Sequence, residues 1–578
     1  MAELILPGVY IDVRPEGLIV PGQITVGNLG VVGTAQKGEI GTETNRAILV
    51  SSYGDALQIF GGYDSFLDPS DPTKPRKDSL TLVRALELAF GFGATTVFAV
   101  RVAGSGTDAP AAAEFKLKAA ANDCVTLTAK SPGAWANQLS ISVFDAEENA
   151  FVEDESVDIT GLPMKVAHHD VVESARNRLV HFDEATGVTR VISGADLVYT
   201  GGTPPSGKVK IDPATGDLLF HDASETPNGN DTLKASYVVA KANAVKVTLR
   251  LGTTDEIYTV VDGIDLAKDI EASSAWVNAK ADNAHGDELP SKGASADTFA
   301  AFKGGKNGEA NADYKAGLDV LLNEDAHIIV AAGQDDKFGN EVDKHCQRAS
   351  TDVIKRDRIG VVGSKAQDPT KPDQFFDYLR GQNLSSDRLI FVAPGIKARD
   401  AGANPAVEVT LPGAYAAAAF AGFLASLSPH ISPTNKVLPV DDLERYFTSP
   451  ELTQVIQHGV LALEKRQGFR IVRGITTLPP GSAFAQITTR RIVDFAKFGV
   501  RSAATPYIGL LNNERVRGAL SATVNSFLAE MVNDEMLVSY KLEVSATRDD
   551  QRKGIARVTM TLQPTFSIDF IKVTMFLE

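Results

Sequence analysis

Residues 487–503 read ITTRRIVDFAKFGVRSA, and residues 512–537 read NNERVRGALSATVNSFLAEMVNDEML. In the second segment apolar side chains recur every three or four positions, which predicts an amphipathic helix: Val516, Leu520, Val524, Phe527, Leu528 and Met531. Residues 541–564, KLEVSATRDDQRKGIARVTMTLQP, then alternate, turn at DDQRKG and alternate again, as a β-hairpin does. SIDFIKVTMFLE (567–578) is a third strand-like run with no turn after it. Because no loop joins this last run to the hairpin as a third paired strand, we expect it to be free to pair elsewhere.

The composition is that of an ordinary globular protein, with 43% hydrophobic and 22% charged residues. A length of 578 residues allows several domains, each with its own core. The longest apolar run, AYAAAAFAGFLASL from Ala414, is shorter than the roughly 18 residues of a membrane-spanning helix and predicts a buried helix. The opening MAELILPGVY lacks the pattern of a secretory signal. Two cysteines, Cys124 and Cys346, predict folding in the cytoplasm without a disulfide framework.

The charge is unevenly distributed along the chain. The net charge of −16 disfavours a general nucleic-acid-binding protein. Most of the acidic excess lies between residues 105 and 300, whereas residues 486–557 carry a small basic excess. This pattern indicates either different neighbours for the two regions or simply a more solvent-exposed middle region.

The order of the segments predicts a mixed α/β and α+β multidomain fold. Residues 1–24 read as an extended arm interrupted by prolines. Residues 25–104 and 300–400 alternate short apolar strands with helices, as in a parallel sheet that is buried on both faces. Residues 105–299 carry mainly β signals and predict one or two inserted β-rich modules. Residues 401–578 are predicted to form a C-terminal α+β domain.

Two glycine-rich segments are candidates for phosphate-binding loops. The loop at Gly27–Gly41 lacks the G-x-x-x-x-G-K-[ST] pattern, because Glu39 follows Gly38. Gly304-Gly305-Lys306 is followed by Asn307, where a Ser or Thr would be needed to bind magnesium. The sequence therefore predicts no nucleotide cofactor.

The candidate catalytic and metal-binding residues are equally few. His168, His169 and Asp170 are adjacent, and neighbouring residues of a strand point to opposite faces, so a solvated loop is favoured over a metal site. Cys346 beside His345 on an amphipathic helix predicts a buried thiol rather than a nucleophile. Neither a G-x-S-x-G elbow nor an H-E-x-x-H motif occurs. We expect no catalytic residues, no metal and no enzyme activity.

Eight motifs follow one another along nearly the whole chain: LPGVYIDV (6–13), GVVGTAQKG (30–38), ILVSSYGDALQIFGG (48–62), FGFGATTVFAVRV (90–102), KSPGAWANQLSISV (130–143), FKGGKNGEANADYKAGLDVLLNEDAHIIVAAG (302–333), TTRRIVDFAKFGVRSAATPYIGLLNNERVR (488–517) and DFIKVTMFLE (569–578). In this order they resemble the sheath proteins of contractile phage tails and related contractile injection systems. VKIDPATGDLLF (209–220) with LKASYVV (233–239) resembles a repeated β-module of some family insertions. The chain departs from the family at Thr488–Ile492, which lacks an aromatic-hydrophobic run, and at Ala136, where glycine is usual.

The resemblance implies a structural subunit that polymerises as stacked hexameric rings around an inner tube and contracts to drive the tube through a target envelope. The implied partners are further copies of the chain, the inner tail tube protein, and baseplate and tail terminator proteins, without direct nucleic-acid contact or membrane insertion. The implied location is a virion tail, or a contractile injection particle, assembled in the bacterial cytoplasm. A phage tail and a phage-derived injection system or tailocin both stay open. An α/β enzyme and a surface adhesin are the alternatives from other classes.

The resemblance also assigns roles to residues. The N-terminal arm and the terminal strand would cross to neighbouring subunits and add strands to a hairpin there. The residues assigned to this exchange are Val9, Ile11, Val13, Leu18, Val20, Leu542, Val544, Val558, Met560, Leu562, Ile568, Phe570, Ile571, Val573, Met575 and Leu577. The basic residues Arg490, Arg491, Lys497 and Arg501 are predicted to contact the inner tube, with a solvated helix face or a sheath–sheath contact as alternatives. The acidic insertion is expected on the outer surface in a decorative role.

Overall fold

The computed structural model describes residues 27–42, 46–161, 163–295, 297–368 and 370–577. The predicted N-terminal arm, with its five assigned apolar residues, lies outside the described residues. The chain forms two compact units. Of the described residues, the main unit comprises those from 27 to Asp108 and those from Glu309 onward, and the inserted unit comprises those within Ala109–Gly308. The finer domain division made from the sequence stays a prediction.

An eight-stranded sheet forms the centre of the main unit. Its six inner strands run parallel, and an antiparallel strand lies at each edge. In spatial order the strands are Ile48–Val50, Val97–Arg101, Leu29–Gly33, Ile328–Asp335, Ile359–Gly363, Leu389–Ala393, Val460–Lys465 and Phe469–Ile471. The sheet thus extends beyond residue 400. In sequence, a ribbon and two helices lie between its last parallel strand, Val460–Lys465, and the preceding strands.

Helices cover both faces of this sheet, which explains why its inner strands read as continuous apolar runs. One face packs against the helices Tyr53–Phe60, Leu82–Gly91 and Gly413–Ser426. The other face packs against Tyr314–Leu321, Gly339–Ala349, Pro372–Arg380 and Ser449–Gln457. Two smaller ribbons complete this part of the main unit: Leu67–Asp68 with Asp71–Pro75, and Ile396–Asp400 with Val407–Leu411 and Asp442–Leu443.

The helix Gly413–Ser426 is buried along almost its entire length, which confirms the prediction made from its small and apolar residues. Small side chains let it approach the helix Leu82–Gly91 closely. A Cβ atom on Gly422 would lie only 2.2 Å from the carbonyl oxygen of Ala89. No helix of the described residues is long and apolar enough to cross a membrane.

The inserted unit is β-rich and has two hydrophobic cores. Around the first core lie the helix Gly263–Ser273 and two sheets, with strands Glu114–Ala119, Asn122–Ala129, Leu139–Asp145, Val245–Leu251, Thr254–Val260, Val277–Ala281 and Ala300–Ala301. Around the second lie the strands Ala150–Val157, Met164–Lys165, Val171–Val172, Arg178–Asp183, Val188–Ser193, Leu197–Val198, Val209–Ile211, Asp217–Phe220 and Thr232–Val239. Within this unit the amide of Asn137 exchanges two hydrogen bonds of 2.9 Å with the backbone of Gly305, joining two of the sequence motifs.

The C-terminal part of the main unit has a small core of its own. It contains the basic helix Ile487–Ala504, the long helix Glu514–Asn533 and the terminal hairpin, whose strands are Leu537–Ser545 and Arg557–Pro564. The side chain of Asn513 caps the long helix by accepting from the backbone N–H of Val516. The predicted turn of the hairpin is a short helix, Arg548–Arg552, because Thr547 and Asp550 form a capping box there.

Candidate assembly interface

The terminal hairpin offers two edges. Among the described residues each of its strands pairs only with the other. Its register places Leu542 opposite Met560 and Val544 opposite Val558. These side chains, with that of Leu562, are half-buried and pack toward the C-terminal core. An edge that no other described strand covers presents N–H and C=O groups that are a template for a further strand.

The tip of the hairpin is held by charge. Arg557 donates two hydrogen bonds to the carboxylate of Asp550, at 3.0 and 2.7 Å. The same carboxylate accepts from the hydroxyl of Thr547 at 2.7 Å. These hydrogen bonds hold the pKa of Asp550 well below its usual range, the contribution of Arg557 being the largest. The two strands are therefore fixed relative to each other without help from another chain.

The tail, residues 565–577, follows the hairpin and belongs to no strand or helix of the described residues. Its apolar side chains are between 62% and 97% exposed: Phe566, Ile568, Phe570, Ile571, Val573, Met575, Phe576 and Leu577. An exposed apolar segment of this size marks an interaction surface. It includes all six residues that the sequence assigned to the exchanged terminal strand.

The side chain of one tail residue, Asp569, is buried against the body of the subunit. Arg473 donates from Nε to Oδ2 of Asp569 at 2.8 Å, and the Asp569 side chain is only 6% exposed. The side-chain amide of Gln486 donates to the same oxygen at 3.1 Å, and its carbonyl oxygen accepts from the backbone N–H of Ser567 at 3.3 Å. The Arg473 guanidinium also lies 5.3 Å from the centre of the Phe570 ring. Sequence reasoning missed this contact, although a lone aspartate within an apolar strand-like run is a signal for it.

The basic helix does not present its two arginines to solvent. Arg490 and Arg491 are 6% and 8% exposed. Arg490 donates to Asp387 at 2.9 Å and to Asp494 at 2.7 Å. Arg491 donates to the carbonyl oxygens of Leu427 and Ser428, and burial lowers its pKa to about 10. Burial of these two side chains in the described subunit leaves neither of them free to form a solvated helix face, which was one alternative to the predicted inner-tube contact.

The other two cations of this helix bind one buried aspartate. Lys497 and Arg501 both contact the carboxylate of Asp357, whose side chain is 3% exposed. Arg388 lies 3.4 Å from the same carboxylate and binds Asp494 with both terminal nitrogens. The helix is thus joined to the central sheet by a network of ion pairs within the subunit, and the inner-tube contact stays a prediction.

The remaining candidate residues have structural contacts. His168 Nε2 lies 3.1 Å from Asp262 Oδ2. Burial disfavours the protonated form of His168, but nearby carboxylates, Asp262 foremost, outweigh this and raise its pKa. His345 accepts from Arg358 at 3.1 Å, and Cys346 is fully buried, which raises the pKa of its thiol to about 12. The described residues contain no group of three or more side chains suited to hold a metal.

Comparison with known families places the described sites in context. Residues 307–477 match the model of the phage tail sheath protein central domain. Residues 480–578 match the model of the phage tail sheath C-terminal domain. The basic helix, the long helix, the terminal hairpin and the tail all lie in the second match. No curated protein sequence matches this chain.

Solved structures share the fold. The sheath tail protein of Desulfitobacterium hafniense is 14% identical with a TM-score of 0.56, over 96% of this chain and 100% of that chain. The sheath tail protein of Listeria innocua is 13% identical with a TM-score of 0.54, over 95% of this chain and 97% of that chain. The contracted helical sheath of the anti-feeding prophage overlaps 46% of this chain and 75% of that chain, with 15% identity and a TM-score of 0.38. At these identities the first two similarities establish the fold alone.

Proposed function

Because this chain belongs to the phage tail sheath family, we propose that it polymerises as stacked hexameric rings around an inner tail tube and contracts to drive that tube through a target envelope. Its role is structural rather than catalytic. The observation that carries the proposal is that one chain has both an exposed apolar tail and a hairpin whose edges are open in the described residues. A segment and an acceptor on the same chain generate a polymer when each subunit donates to the next.

Burial of the apolar side chains of the tail would favour strand addition. Burying one Val, Leu, Ile, Phe or Met side chain contributes about 1.5–3 kcal/mol. Ile571, Val573, Met575 and Leu577, each at least 76% exposed in the subunit, would contribute about 6–12 kcal/mol if fully buried. Main-chain hydrogen bonds to the hairpin edge add to this, while ordering the tail opposes it.

During contraction, subunits must change how they pack against their neighbours without separating from them. A tail joined to its own subunit and paired with another acts as a tether during such a movement. The driving force is then the difference in free energy between two packings of one sequence, set when the extended form assembles. This proposal requires no nucleotide at the subunit.

The inner-tube contact falls to the exposed side of the basic helix. Lys497 and Arg501 have side chains 34% and 27% exposed, so part of each cation can reach a partner while the rest binds Asp357. Exposed ion pairs contribute under about 1 kcal/mol each, which suits a contact that must break during contraction. The buried Arg490 and Arg491 would support this surface from within the subunit.

The remaining partners follow from the family. We place the particle in a virion tail, assembled in the bacterial cytoplasm, with baseplate and tail terminator proteins at its ends. The alternative is the sheath of a phage-derived contractile injection system or tailocin, in which the subunit would do the same work. The acidic, β-rich insertion is assigned to the outer surface of the particle.

Negative-stain electron microscopy tests the proposal. The full-length protein should form hollow striated cylinders, and a variant ending at Thr565 should give rings or monomers. Cylinders from both proteins would remove the tail from the account. Compact monodisperse particles from both, at every salt concentration tried, would contradict the sheath function itself.

A further inference from the structure

The carboxylate of Asp569 is bound by three side chains from the body of the subunit, Arg473, Gln486 and Thr434. We propose that this tail clamp, formed by Asp569, Arg473, Gln486 and Thr434, sets which face of the exchanged strand a second copy of the chain receives. The inference rests on the proposed function, since it concerns the same exchanged strand. It assigns to Asp569 the role of a positioning residue.

The clamp is a built polar site. Asp569 Oδ2 accepts from Arg473 Nε at 2.8 Å and from Gln486 Nε2 at 3.1 Å. Its Oδ1 accepts from the hydroxyls of Ser567 at 3.3 Å and Thr434 at 3.4 Å. Three separate segments of the main unit therefore converge on one side chain, which is 6% exposed, whereas the apolar side chains of the tail are exposed. Such a site fixes both the position and the rotation of the chain at residue 569.

The alternation of the sequence converts that rotation into a choice of face. In a strand, residues two apart share one face. The face that holds Ser567 and Asp569 continues as an unbroken apolar stripe: Ile571, Val573, Met575 and Leu577. The opposite face is mixed, because it carries Lys572 and Thr574 after Phe570. Once the carboxylate is clamped, the direction of the apolar stripe is fixed.

The hairpin has a matching face. Its half-buried apolar residues, Leu542, Val544, Val558, Met560 and Leu562, pack toward the long helix. A strand added at either edge of the same sheet would extend that face only if its apolar stripe points the same way. A slip of one residue turns every side chain of a strand to the other face. Residues 570–577 span about 26 Å when extended, enough to follow the whole edge of the hairpin.

Insertions between Phe570 and Ile571 test the clamp. One inserted alanine reverses the stripe relative to Asp569, whereas two inserted alanines restore the face and shift it by about 6.6 Å along the strand. Pelleting and negative-stain microscopy should show loss of cylinders for the first variant and their retention for the second. Both monomers should fold like the wild type by circular dichroism. Equal behaviour of the two insertions, whether both assemble or both fail, would overturn the inference.

A second comparison isolates the carboxylate. In an Asp569→Ala background the strand is no longer held by the clamp, so the difference in polymer yield between the one- and two-residue insertions should disappear. An unchanged difference would show that the face is set elsewhere, and would refute the role of Asp569. The tail-deleted variant separates the two proposals. If deletion of the tail abolishes cylinders while both insertion variants still form them, the proposed sheath function stands and only the role of the clamp is refuted.

Discussion

Replacing Asp494 by alanine removes the carboxylate that two buried guanidinium groups share. Arg388 donates to it at 2.8 and 3.0 Å, and Arg490 donates at 2.7 Å. Both arginine side chains are 8% exposed. In the variant Arg388 keeps Asp357 at 3.4 Å and Arg490 keeps Asp387 at 2.9 Å. The two cations therefore lose their best partner but are not left wholly unpaired.

The magnitude follows from the burial of this network. Removing one partner of a buried ion pair destabilises a protein by about 3–5 kcal/mol. The partners that remain place the expected loss at the lower end, about 3 kcal/mol, for the local opening that exposes the basic helix. A factor of ten in an equilibrium constant corresponds to about 1.4 kcal/mol. Amides of residues 487–504 should accordingly exchange about a hundredfold faster in the variant.

Hydrogen–deuterium exchange measured by mass spectrometry checks this helix directly. Asp319→Ala is the matched control, because Asp319 binds Arg348 at 2.7 Å with side chains 63% and 60% exposed. Its loss should cost under about 1 kcal/mol. Both tryptophans, Trp135 and Trp276, lie in the inserted unit, so their fluorescence reports that this unit is intact. Exchange in the Asp494 variant as slow as in the control would refute the assignment of the network.

Burial and the charge of Arg358 lower the pKa of His345 to about 3 in the folded protein, against about 6.5 in the unfolded chain. The contribution of neutral His345 to stability is therefore complete above pH about 6.5. It is lost as the pH falls toward 3, at about 1.4 kcal/mol per pH unit. His345→Gln should flatten the dependence of the free energy of unfolding on pH between 4.5 and 6.5 in urea titrations, and an unchanged slope would contradict this. A Cβ on Gly499 would lie 1.9 Å from Phe527 Cζ, so Gly499→Ala should destabilise the C-terminal core by about 1–3 kcal/mol despite the better helix propensity of alanine. Adding Phe527→Leu should recover part of that loss in thermal unfolding, and equal melting temperatures of wild type and Gly499→Ala would refute the clash.

Hydrophobic periodicity predicted the elements that depend on local pattern. The stripe from Val516 to Met531 lies on the buried side of the long helix, and Leu520, Val524, Phe527 and Leu528 belong to the same core. The alternation on both sides of DDQRKG corresponds to the two strands of the terminal hairpin. These features follow from sequence because each is fixed by residues close together in the chain.

Partners of charged groups could not be predicted in the same way. The cations of the basic helix bind Asp357 and Asp387, which lie more than 100 residues away in sequence. These aspartates lie in the loops that precede two central strands, and only tertiary folding brings those loops into contact with the basic helix. No local sequence pattern predicts such a contact. The inward turn of Asp569 is a similar case, because its partners Arg473 and Gln486 belong to other segments. The sequence shows where the charged residues are, whereas the partner that each one binds depends on the fold.

The most direct test of strand exchange is a cryo-electron microscopy map of the polymer formed by the full-length chain, at a resolution that traces side chains. We expect continuous density from Asp569 of one subunit into a strand, residues 570–577, hydrogen-bonded to the terminal hairpin of another subunit. We also expect Ile571, Val573, Met575 and Leu577 on the face toward that subunit's long helix. A tail folded back on its own subunit, or hairpin edges left unpaired in the polymer, would contradict the account.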